Sequence, residues 1–280
     1  MNSLCTKFIN IIKNKRRPLI FGMVHVPALP GTPANIHIPK EIISIVSEEV
    51  QIYKKCNVDG IILENMHDIP YLHYSKIGPE IVSMMTACAM ETLNVLSVER
   101  KNFLLGIQVL AGGNKEALSI AHSTGFDFIR AESFVYSHVA DEGIMNACAG
   151  ELLRYRRHIE ANSVAIISDI KKKHCSHAIT SDLTVGDFAE AADFFRGDGV
   201  ILTGASTGKE ANVDDIDLVK KSCKLPIFIG SGVTIDNMKN YCKADGFIVG
   251  SHFKYNSDWR NKLDEKKISN FVEIARSLTK

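Results

Sequence analysis

The sequence predicts an α/β fold, a single closed (β/α)8 TIM barrel. Eight short segments are rich in Val, Ile, Leu and Phe and show little polar alternation, which is typical of parallel strands buried on both faces. Apolar residues at helical spacing lie between these segments, as in the stripe from Ile42 to Tyr53. Alternating strands and helices indicate the α/β class, and eight repeats indicate a closed barrel.

The predicted strands cover residues 19–24, 60–64, 104–109, 126–130, 164–168, 199–203, 226–230 and 246–250. Further helices are expected at 115–123, 185–195, 214–221 and 235–242. No linker divides the chain, so we expect one domain over 1–280, with a short N-terminal helix at 1–17 that closes the bottom and the barrel at 18–280. A doubly wound open sheet is the alternative, but that fold places its glycine-rich loop after the first strand, whereas the glycine-rich turns here come late.

Composition and charge limit the class of protein. The 280 residues are 45% hydrophobic and 23% charged, as in globular proteins with an ample core. The formal charge of +1 argues against a large nucleic-acid-binding surface, which would show a basic excess. Seven cysteines occur singly and without a CxxC pair. We therefore expect reduced thiols and a cytoplasmic location, without a disulfide scaffold or a structural zinc site.

The N-terminal segment leaves a second location open. No acidic residue occurs before Glu41, and apolar residues such as Phe8 and Ile12 stand beside Lys13 and Arg17. This composition fits a mitochondrial transit segment, but also a short amphipathic helix below the barrel. The helix is favoured, because cleavage would fall close to the first strand. No apolar run is expected to span a bilayer.

Two late glycine-containing turns predict a phosphate site. Gly230-Ser231-Gly232 follows the seventh predicted strand, and Gly250-Ser251 follows the eighth. In (β/α)8 barrels these two turns commonly present backbone N–H groups to a phosphate, and glycine lets the anion approach the backbone. Thr203-Gly204 and the small residues up to position 208 form a further candidate anion-binding turn.

Polar side chains at the other strand ends predict the rest of a site, because the chemistry of such barrels lies at the carboxyl ends of the strands. Glu64 and Asp169 are the candidate acid/base pair, and His25 is a candidate proton shuttle or ligand contact. The remaining candidate ligand-binding residues at these ends are Asn65, Gln108, Arg130 and Lys171. Ion pairing of Glu64 with Arg130 or Lys171 is the structural alternative.

Two other chemistries are weighed and ranked lower. Lys171 just beyond a strand end would suit a Schiff base, although a cation that holds an anionic group beside Asp169 is the simpler interpretation. The possible metal ligands have a spacing that matches no local metal signature; they are His25, Glu64, His67, Asp68, Asp169 and His174. No cofactor is identified, and a divalent metal is a minor alternative.

Several stretches together resemble the BtpA family over nearly the whole chain. The most specific is His25-Val26-Pro27-Ala28-Leu29-Pro30-Gly31. Others cover residues 59–65, 106–110, 129–132, 169–174, 203–208, 230–234 and 250–251. The chain departs from the family after the third strand, where it reads Leu110-Ala111-Gly112-Gly113-Asn114 instead of continuing Leu-Arg-Asn.

The resemblance implies a TIM barrel related to phosphate-binding barrels, with an N-terminal helix of the family's own type. The family namesake is linked to accumulation of photosystem I in cyanobacteria, while a bacterial relative lies among sugar-utilisation proteins. The resemblance therefore implies a fold and leaves the reaction open.

The sequence thus favours an enzyme that acts on a phosphorylated sugar or nucleotide-like small molecule, as an isomerase, a lyase or a glycosidic-bond hydrolase. A non-catalytic assembly or stability factor for a larger complex is the alternative, and a metal-dependent hydrolase is the second alternative. The expected partner is a small phosphorylated molecule, without nucleic acid, and a homo-oligomer is an open question.

Overall fold

Strands and helices alternate along the chain. The computed structural model describes residues 6–204 and 210–278. Over these residues the strands are β1 (Leu19–His25), β2 (Gly60–Glu64), β3 (Leu104–Gln108), β4 (Phe128–Ala131), β5 (His138–Ala140), β6 (Gly143–Met145), β7 (Ala165–Ile170), β8 (Cys175–Ser176), β9 (Gly199–Leu202), β10 (Ile227–Ile229) and β11 (Gly246–Val249). The helices are α1 (Thr6–Asn14), α2 (Pro39–Lys55), α3 (Pro79–Leu96), α4 (Asn114–Thr124), α5 (Ala149–His158), α6 (Val185–Phe194), α7 (Asp214–Ser222) and α8 (Glu265–Arg276).

The predicted closed barrel is confirmed. Eight parallel strands close in the order β1-β11-β10-β9-β7-β4-β3-β2, and α-helices lie between successive barrel strands except between β10 and β11. The predicted strand bounds agree with the observed ones to within two residues. One predicted helix is wrong in type: the segment 235–242 contains only a 3-10 turn, Met238–Tyr241, between β10 and β11.

Alternate residues of the strands fill the barrel interior. In β1, Leu19, Phe21 and Met23 belong to the inner cluster, whereas Ile20 and Val24 face the surrounding helices. The ring of Phe21 lies 5.5 Å from Phe128 of β4 and 5.8 Å from Phe228 of β10, centroid to centroid. Because these strands are not neighbours, the rings meet only inside the barrel. The period of two therefore sends every second side chain toward the barrel axis.

The helix α1 packs below the barrel. Phe8 and Ile12 lie one helical turn apart and are almost fully buried in the inner cluster. The Phe8 ring lies 5.1 Å from Phe128 and 6.1 Å from Phe228, which stand near the amino ends of their strands. These contacts place α1 at the end of the barrel opposite the carboxyl ends of the strands.

A small antiparallel sheet, here named the cap sheet, comes from two loops of the barrel. It has the order β6-β5-β8, with β5 and β6 following β4, and β8 following β7. The sequence analysis did not predict the cap sheet, because its strands are short and weakly apolar. Since both loops leave the carboxyl ends of barrel strands, the cap sheet belongs to the end of the barrel where active sites of this fold lie.

One helix corrects the prediction that no apolar run could span a bilayer. The segment Pro79–Asn102, which contains α3, is long and apolar enough by length and composition alone, with a mean hydropathy of 1.5. In the structure, α3 contacts α2 and α4 and buries Ile81, Met85 and Leu96 in the core around the barrel. These contacts are those of a barrel helix.

Candidate active site

The alternation that builds the barrel interior also selects the side chains of its upper layer. Continuing each inner face by two residues gives His25 after Met23, Glu64 after Ile62 and Arg130 after Phe128. His25 pairs in register with Glu64, and Glu64 pairs with Gln108 of β3. The sequence therefore places a layer of ionisable and polar groups directly above an apolar interior.

A cavity of about 430 Å³ opens above this layer, within the size range of small-molecule sites. Nine of the predicted site residues line it: His25, Glu64, Gln108, Arg130, Gly230, Ser231, Gly232, Gly250 and Ser251. The other five, Asn65, Asp169, Lys171, Thr203 and Gly204, do not.

The two strand-end glycines make room for the charged layer. A Cβ on Gly230 would lie 2.5 Å from Ile201 Cγ2 and 3.4 Å from Arg130 Nη2. A Cβ on Gly250 would lie 3.1 Å from the His25 ring. Both glycines occupy the inward position of their strands, so their small size leaves space that the arginine and the histidine use.

The turns after β10 and β11 offer backbone donors to this cavity. Gly232 has a φ of +71°, a left-handed conformation that favours glycine. Within the described residues, the amides of Gly232, Val233, Ser251 and His252 have no hydrogen-bond acceptor, and all four residues line the cavity. Backbone amides without an acceptor, on two adjacent turns, are the groups with which a backbone cradle binds an anion.

Glu64 and His25 line the same cavity, on the adjacent strands β2 and β1. Burial raises the pKa of Glu64, against the opposing charges of Arg130 and Lys173. Burial and the charge of Lys254 lower the pKa of His25 well below 6.5, so the imidazole is neutral at pH 7. Its Nδ1 lies 3.4 Å from the carbonyl oxygen of Trp259 and must donate to it, which leaves Nε2 unprotonated and 3.8 Å from Glu64 Oε2. The pair is therefore a carboxyl beside a neutral base.

Asp169 is held by Arg130. Two hydrogen bonds of 2.9 Å join the guanidinium Nε and Nη2 to the two carboxylate oxygens, and the Asp169 side chain has no exposed surface. Burial opposes the charge of Arg130, but the contact with Asp169 outweighs it and raises the pKa of the guanidinium. The arginine reaches the cavity wall while the aspartate supports it from behind.

Glu132 gathers a second ion pair at the cavity. It accepts from Lys172 Nζ at 2.7 Å, from Gln108 Nε2 at 3.2 Å and from the amide of Gly112 at 2.7 Å. Burial alone would raise the pKa of Glu132, but Lys172 and these hydrogen bonds lower it. Glu132 is thus a fixed carboxylate, in contrast to Glu64.

The three lysines after β7 have different surroundings. Lys171 has a φ of +44°, which breaks the extended alternation, and its Nζ donates to the Leu183 carbonyl and lies 5.6 Å from the Phe188 ring centroid. It therefore points away from the cavity. Lys172 and Lys173 line the cavity instead. Burial and the charge of Arg130 lower the pKa of Lys173 to about 8.

Three other predicted ligand contacts have structural partners. The Asn65 side chain donates to Asp68 and exchanges hydrogen bonds with the backbone of Leu110. Thr203 accepts from the Lys173 amide at 3.2 Å, and the Gly204 amide donates to Ser231 Oγ at 2.8 Å. Both contacts brace the neighbouring turns. Residues 205–209, which complete the predicted anion-binding turn, lie outside the described residues.

Sequence reasoning missed part of the cavity wall. The hairpin between β5 and β6 contributes Asp141 and Glu142, and the loop after β11 contributes Trp259. The Trp259 ring lies 4.9 Å from the His67 ring. Trp259 is the only tryptophan of the chain, which was an available signal. Nothing in the sequence pattern marked the two carboxylates, because the cap sheet itself was not predicted.

Three buried polar atoms of the cavity wall lack a hydrogen-bond partner among the described residues. They are the acceptor oxygens Oε1 of Gln108 and Oε2 of Glu142, and the ring nitrogen Nε2 of His252. Buried acceptors usually have a partner, and leaving one without a partner costs about 1–3 kcal/mol. A ligand with hydroxyl or amino groups would supply the missing donors. Over residues 6–204 and 210–278, no cluster of three His, Cys, Asp or Glu side chains is arranged to hold a metal ion.

Two relatives are similar along almost the whole chain. A Caenorhabditis elegans protein, "Uncharacterized protein F13E9.13, mitochondrial", is 47% identical over 270 residues, covering 96% of this chain and 97% of that protein. The "Photosystem I biogenesis protein BtpA" of Synechocystis is 32% identical over 256 residues, covering 91% and 86%.

Solved structures share the fold at low identity. Thiamine phosphate pyrophosphorylase from Pyrococcus furiosus superposes with a TM-score of 0.55 at 10% identity, covering 93% of this chain and 96% of the other. Orotidine 5′-monophosphate decarboxylase from Methanocaldococcus jannaschii superposes with a TM-score of 0.54 at 14% identity, covering 93% and 100%.

The BtpA family matches residues 15–277, nearly the full length. With this match and the 32% identity to the Synechocystis protein, the chain belongs to the BtpA family.

Proposed function

We propose that this protein is an enzyme that acts on a phosphorylated sugar or a similar small molecule by acid–base chemistry at Glu64. The observation that carries the proposal is the arrangement of the cavity. Backbone amides of the β10 and β11 turns, without an acceptor among the described residues, line the cavity together with the buried Glu64 carboxyl, whose pKa is raised.

The turn amides supply the argument for a phosphate. A phosphate offers three strong acceptor oxygens and favours sites where several N–H groups converge. The arginine at the cavity wall adds positive charge, although Asp169 neutralises much of it. The fold neighbours support the proposal by their names, since both orotidine 5′-monophosphate and thiamine phosphate are phosphorylated compounds.

The orphaned acceptors supply the argument for a hydroxylated ligand. Gln108 Oε1 and Glu142 Oε2 need donors, and sugar hydroxyl groups are donors of suitable size for a cavity of about 430 Å³. Both side chains lie on the cavity wall with Glu64, so a ligand anchored by its phosphate would present its hydroxyl groups to them.

The proposed chemistry follows from the different protonation states of two carboxyl groups that line the cavity, Glu64 and Glu132. Burial favours the protonated form of Glu64, and the neutral His25 Nε2 at 3.8 Å can take or return a proton. Glu132 stays ionised because Lys172 binds it. A general acid therefore stands near a permanent carboxylate, which is the separation of roles that acid–base catalysis needs. Asp169 supports Arg130 in this proposal and does not transfer protons.

Trp259 offers a direct test of the proposed ligand class. We expect ribose 5-phosphate to change the fluorescence of the single tryptophan, and ribose alone to change it far less. Gly232→Asp places a carboxylate among the turn amides at a φ that disfavours side chains. Losing a charge-assisted hydrogen bond is worth about 1.5–3 kcal/mol, so the affinity should fall roughly 10- to 100-fold.

Gly125→Asp is the matched control. Gly125 has a φ of +73°, has open space around its Cβ position and caps α4 at the amino end of the barrel. It adds the same charge at the same backbone conformation, far from the cavity. If both aspartate variants bound the sugar phosphate as the wild type does, the turns would not be the phosphate site.

The location of the protein follows the name of one relative. The C. elegans protein is named as mitochondrial, and we propose that this chain too acts in mitochondria. The basic N-terminal segment supports import. Because Phe8 and Ile12 are part of the barrel interior, a protein that keeps this packing would retain α1 after import.

A further inference from the structure

We propose that Lys173 is the reactive amine of this site and that it captures a carbonyl group of the substrate as an imine. This inference rests on the proposed function and narrows its substrate class to phosphorylated aldehydes and ketones. The sequence offered Lys171 for such chemistry only as a lower-ranked alternative, and the geometry favours Lys173, two residues further along the chain.

The surroundings of the three consecutive lysines carry the choice. Lys171 donates to the Leu183 carbonyl outside the cavity, and Lys172 is held by Glu132 at 2.7 Å. Lys173 lines the cavity, and its ammonium group has no hydrogen bond or ion pair with any residue that the structure describes. A partly buried amine without a partner, on a cavity wall, is positioned for a ligand.

The position of Lys173 is fixed by its backbone. Its amide donates to Thr203 Oγ1 at 3.2 Å, which ties the loop after β7 to the end of β9. Its side chain lines the same cavity as His25 and Glu64, and its charge acts on both groups. A carbonyl group held above the barrel layer would therefore meet the amine and the carboxyl together.

The electrostatic environment supports a neutral amine. Burial and Arg130 lower the pKa of Lys173 to about 8, whereas lysine ordinarily titrates near 10.5. At about pH 7.5 the neutral fraction is then roughly two-hundredfold larger than that of an ordinary lysine. Only the neutral form is a nucleophile, so Lys173 is activated relative to surface lysines.

The proposed step balances with Glu64 as the only proton carrier. The lone pair of Nζ attacks the carbonyl carbon, the C–N bond forms, and the carbonyl oxygen takes the Glu64 proton. The nitrogen returns one proton to the Glu64 carboxylate, which passes it to the new hydroxyl group. The C–O bond breaks, water leaves, and a protonated imine remains beside the Glu64 carboxylate. No oxidant, reductant or metal is needed.

Reductive trapping tests this assignment on the full-length protein. Ribose 5-phosphate and sodium borohydride are added at about pH 7.5, and the modified lysines are identified by peptide mass spectrometry. Lys173 should be labelled at least about tenfold more than Lys171, because Lys173 lines the cavity whereas Lys171 donates to the Leu183 carbonyl outside it. Labelling should fall with Gly232→Asp and with ribose in place of the phosphate. In Lys171→Met, the labelling of Lys173 should persist.

The identities of the labelled lysines in the wild-type protein test the proposal even if a variant folds poorly. Equal labelling of Lys171 and Lys173, or no labelling of Lys173, would overturn it. If Lys173 stayed unlabelled while ribose 5-phosphate still changed the Trp259 fluorescence, the imine would be wrong and the phosphate site would stand. If neither signal appeared in the wild type, the proposed function would fail as well.

Discussion

Asp169→Asn is expected to lower the free energy of unfolding by about 3–5 kcal/mol. The change keeps the volume of the side chain but removes the charge that faces the Arg130 guanidinium through two 2.9 Å hydrogen bonds. Arg130 is nearly fully buried and stays protonated, so the variant would leave an uncompensated buried cation. Urea denaturation followed by circular dichroism measures the difference.

Asp217→Asn is the control for this measurement. Asp217 also pairs with a cation, Lys243, at 2.7 Å, but both side chains are more than half exposed. Solvent screens such pairs, so this variant should unfold close to the wild type. If Asp169→Asn were as stable as the wild type and lost only catalytic activity, Asp169 would be the acid/base residue that the sequence predicted.

Glu64→Gln is expected to reduce turnover of the bound substrate by about 10²- to 10⁴-fold while ligand binding persists. Glutamine keeps the size and hydrogen-bonding capacity of the side chain but cannot transfer a proton. Turnover of any phosphorylated ligand that co-purifies with the protein would be measured together with Trp259 fluorescence on the same preparation. If the variant retained full biological activity with an intact barrel, the protein would act through partners and not by acid–base catalysis.

Although Glu64→Gln is expected to reduce turnover, it is expected to increase the stability of the folded protein at high pH. Burial raises the pKa of Glu64 in the folded protein, so the folded state holds this proton more tightly than the unfolded chain does. The stability that the proton contributes is present below the ordinary pKa of about 4.5 and is lost as the pH rises through the folded pKa. Glu64→Gln should therefore be more stable than the wild type at pH 8 and equal to it near pH 4. Wild-type protein that was the more stable at pH 8 would contradict this environment for Glu64.

The sequence was a good guide to the barrel and to the strand ends because both follow from simple periods. Phe21, Met23 and His25 stand at successive inward positions of β1, so a polar residue after two apolar ones marks the cavity floor. The same spacing identifies Glu64 and Arg130. Strand ends are fixed by the closed sheet, and their side chains can be assigned without knowing the loops.

The same reasoning failed in the loops that follow the strands. Strict alternation along an extended segment would put Asp169, Lys171 and Lys173 on one side, but the φ of +44° at Lys171 breaks that alternation. Lys171 leaves the cavity, and Lys172 enters it to pair with Glu132. The left-handed backbone conformation of Lys171 thus determines which lysine side chains reach the cavity. The periodicity of the sequence does not predict such a conformation.

The sequence also could not predict which charged side chains pair with each other. Asp169 and Arg130 come from neighbouring strands β7 and β4, and their bidentate contact depends on rotamers and on the room that Gly230 leaves. The cap sheet adds Glu142 to the cavity from a hairpin of three-residue strands. Such short strands carry too few residues for a pattern to emerge.

Native mass spectrometry of the protein purified from its host tests the central claim most directly. The claim is that the cavity at the carboxyl ends of the barrel strands holds a phosphorylated small molecule through the β10 and β11 turns. A phosphorus-containing adduct should accompany the wild type and Gly125→Asp, and should be lost from Gly232→Asp. A ligand without phosphorus, or one retained equally by Gly232→Asp, would contradict the claim.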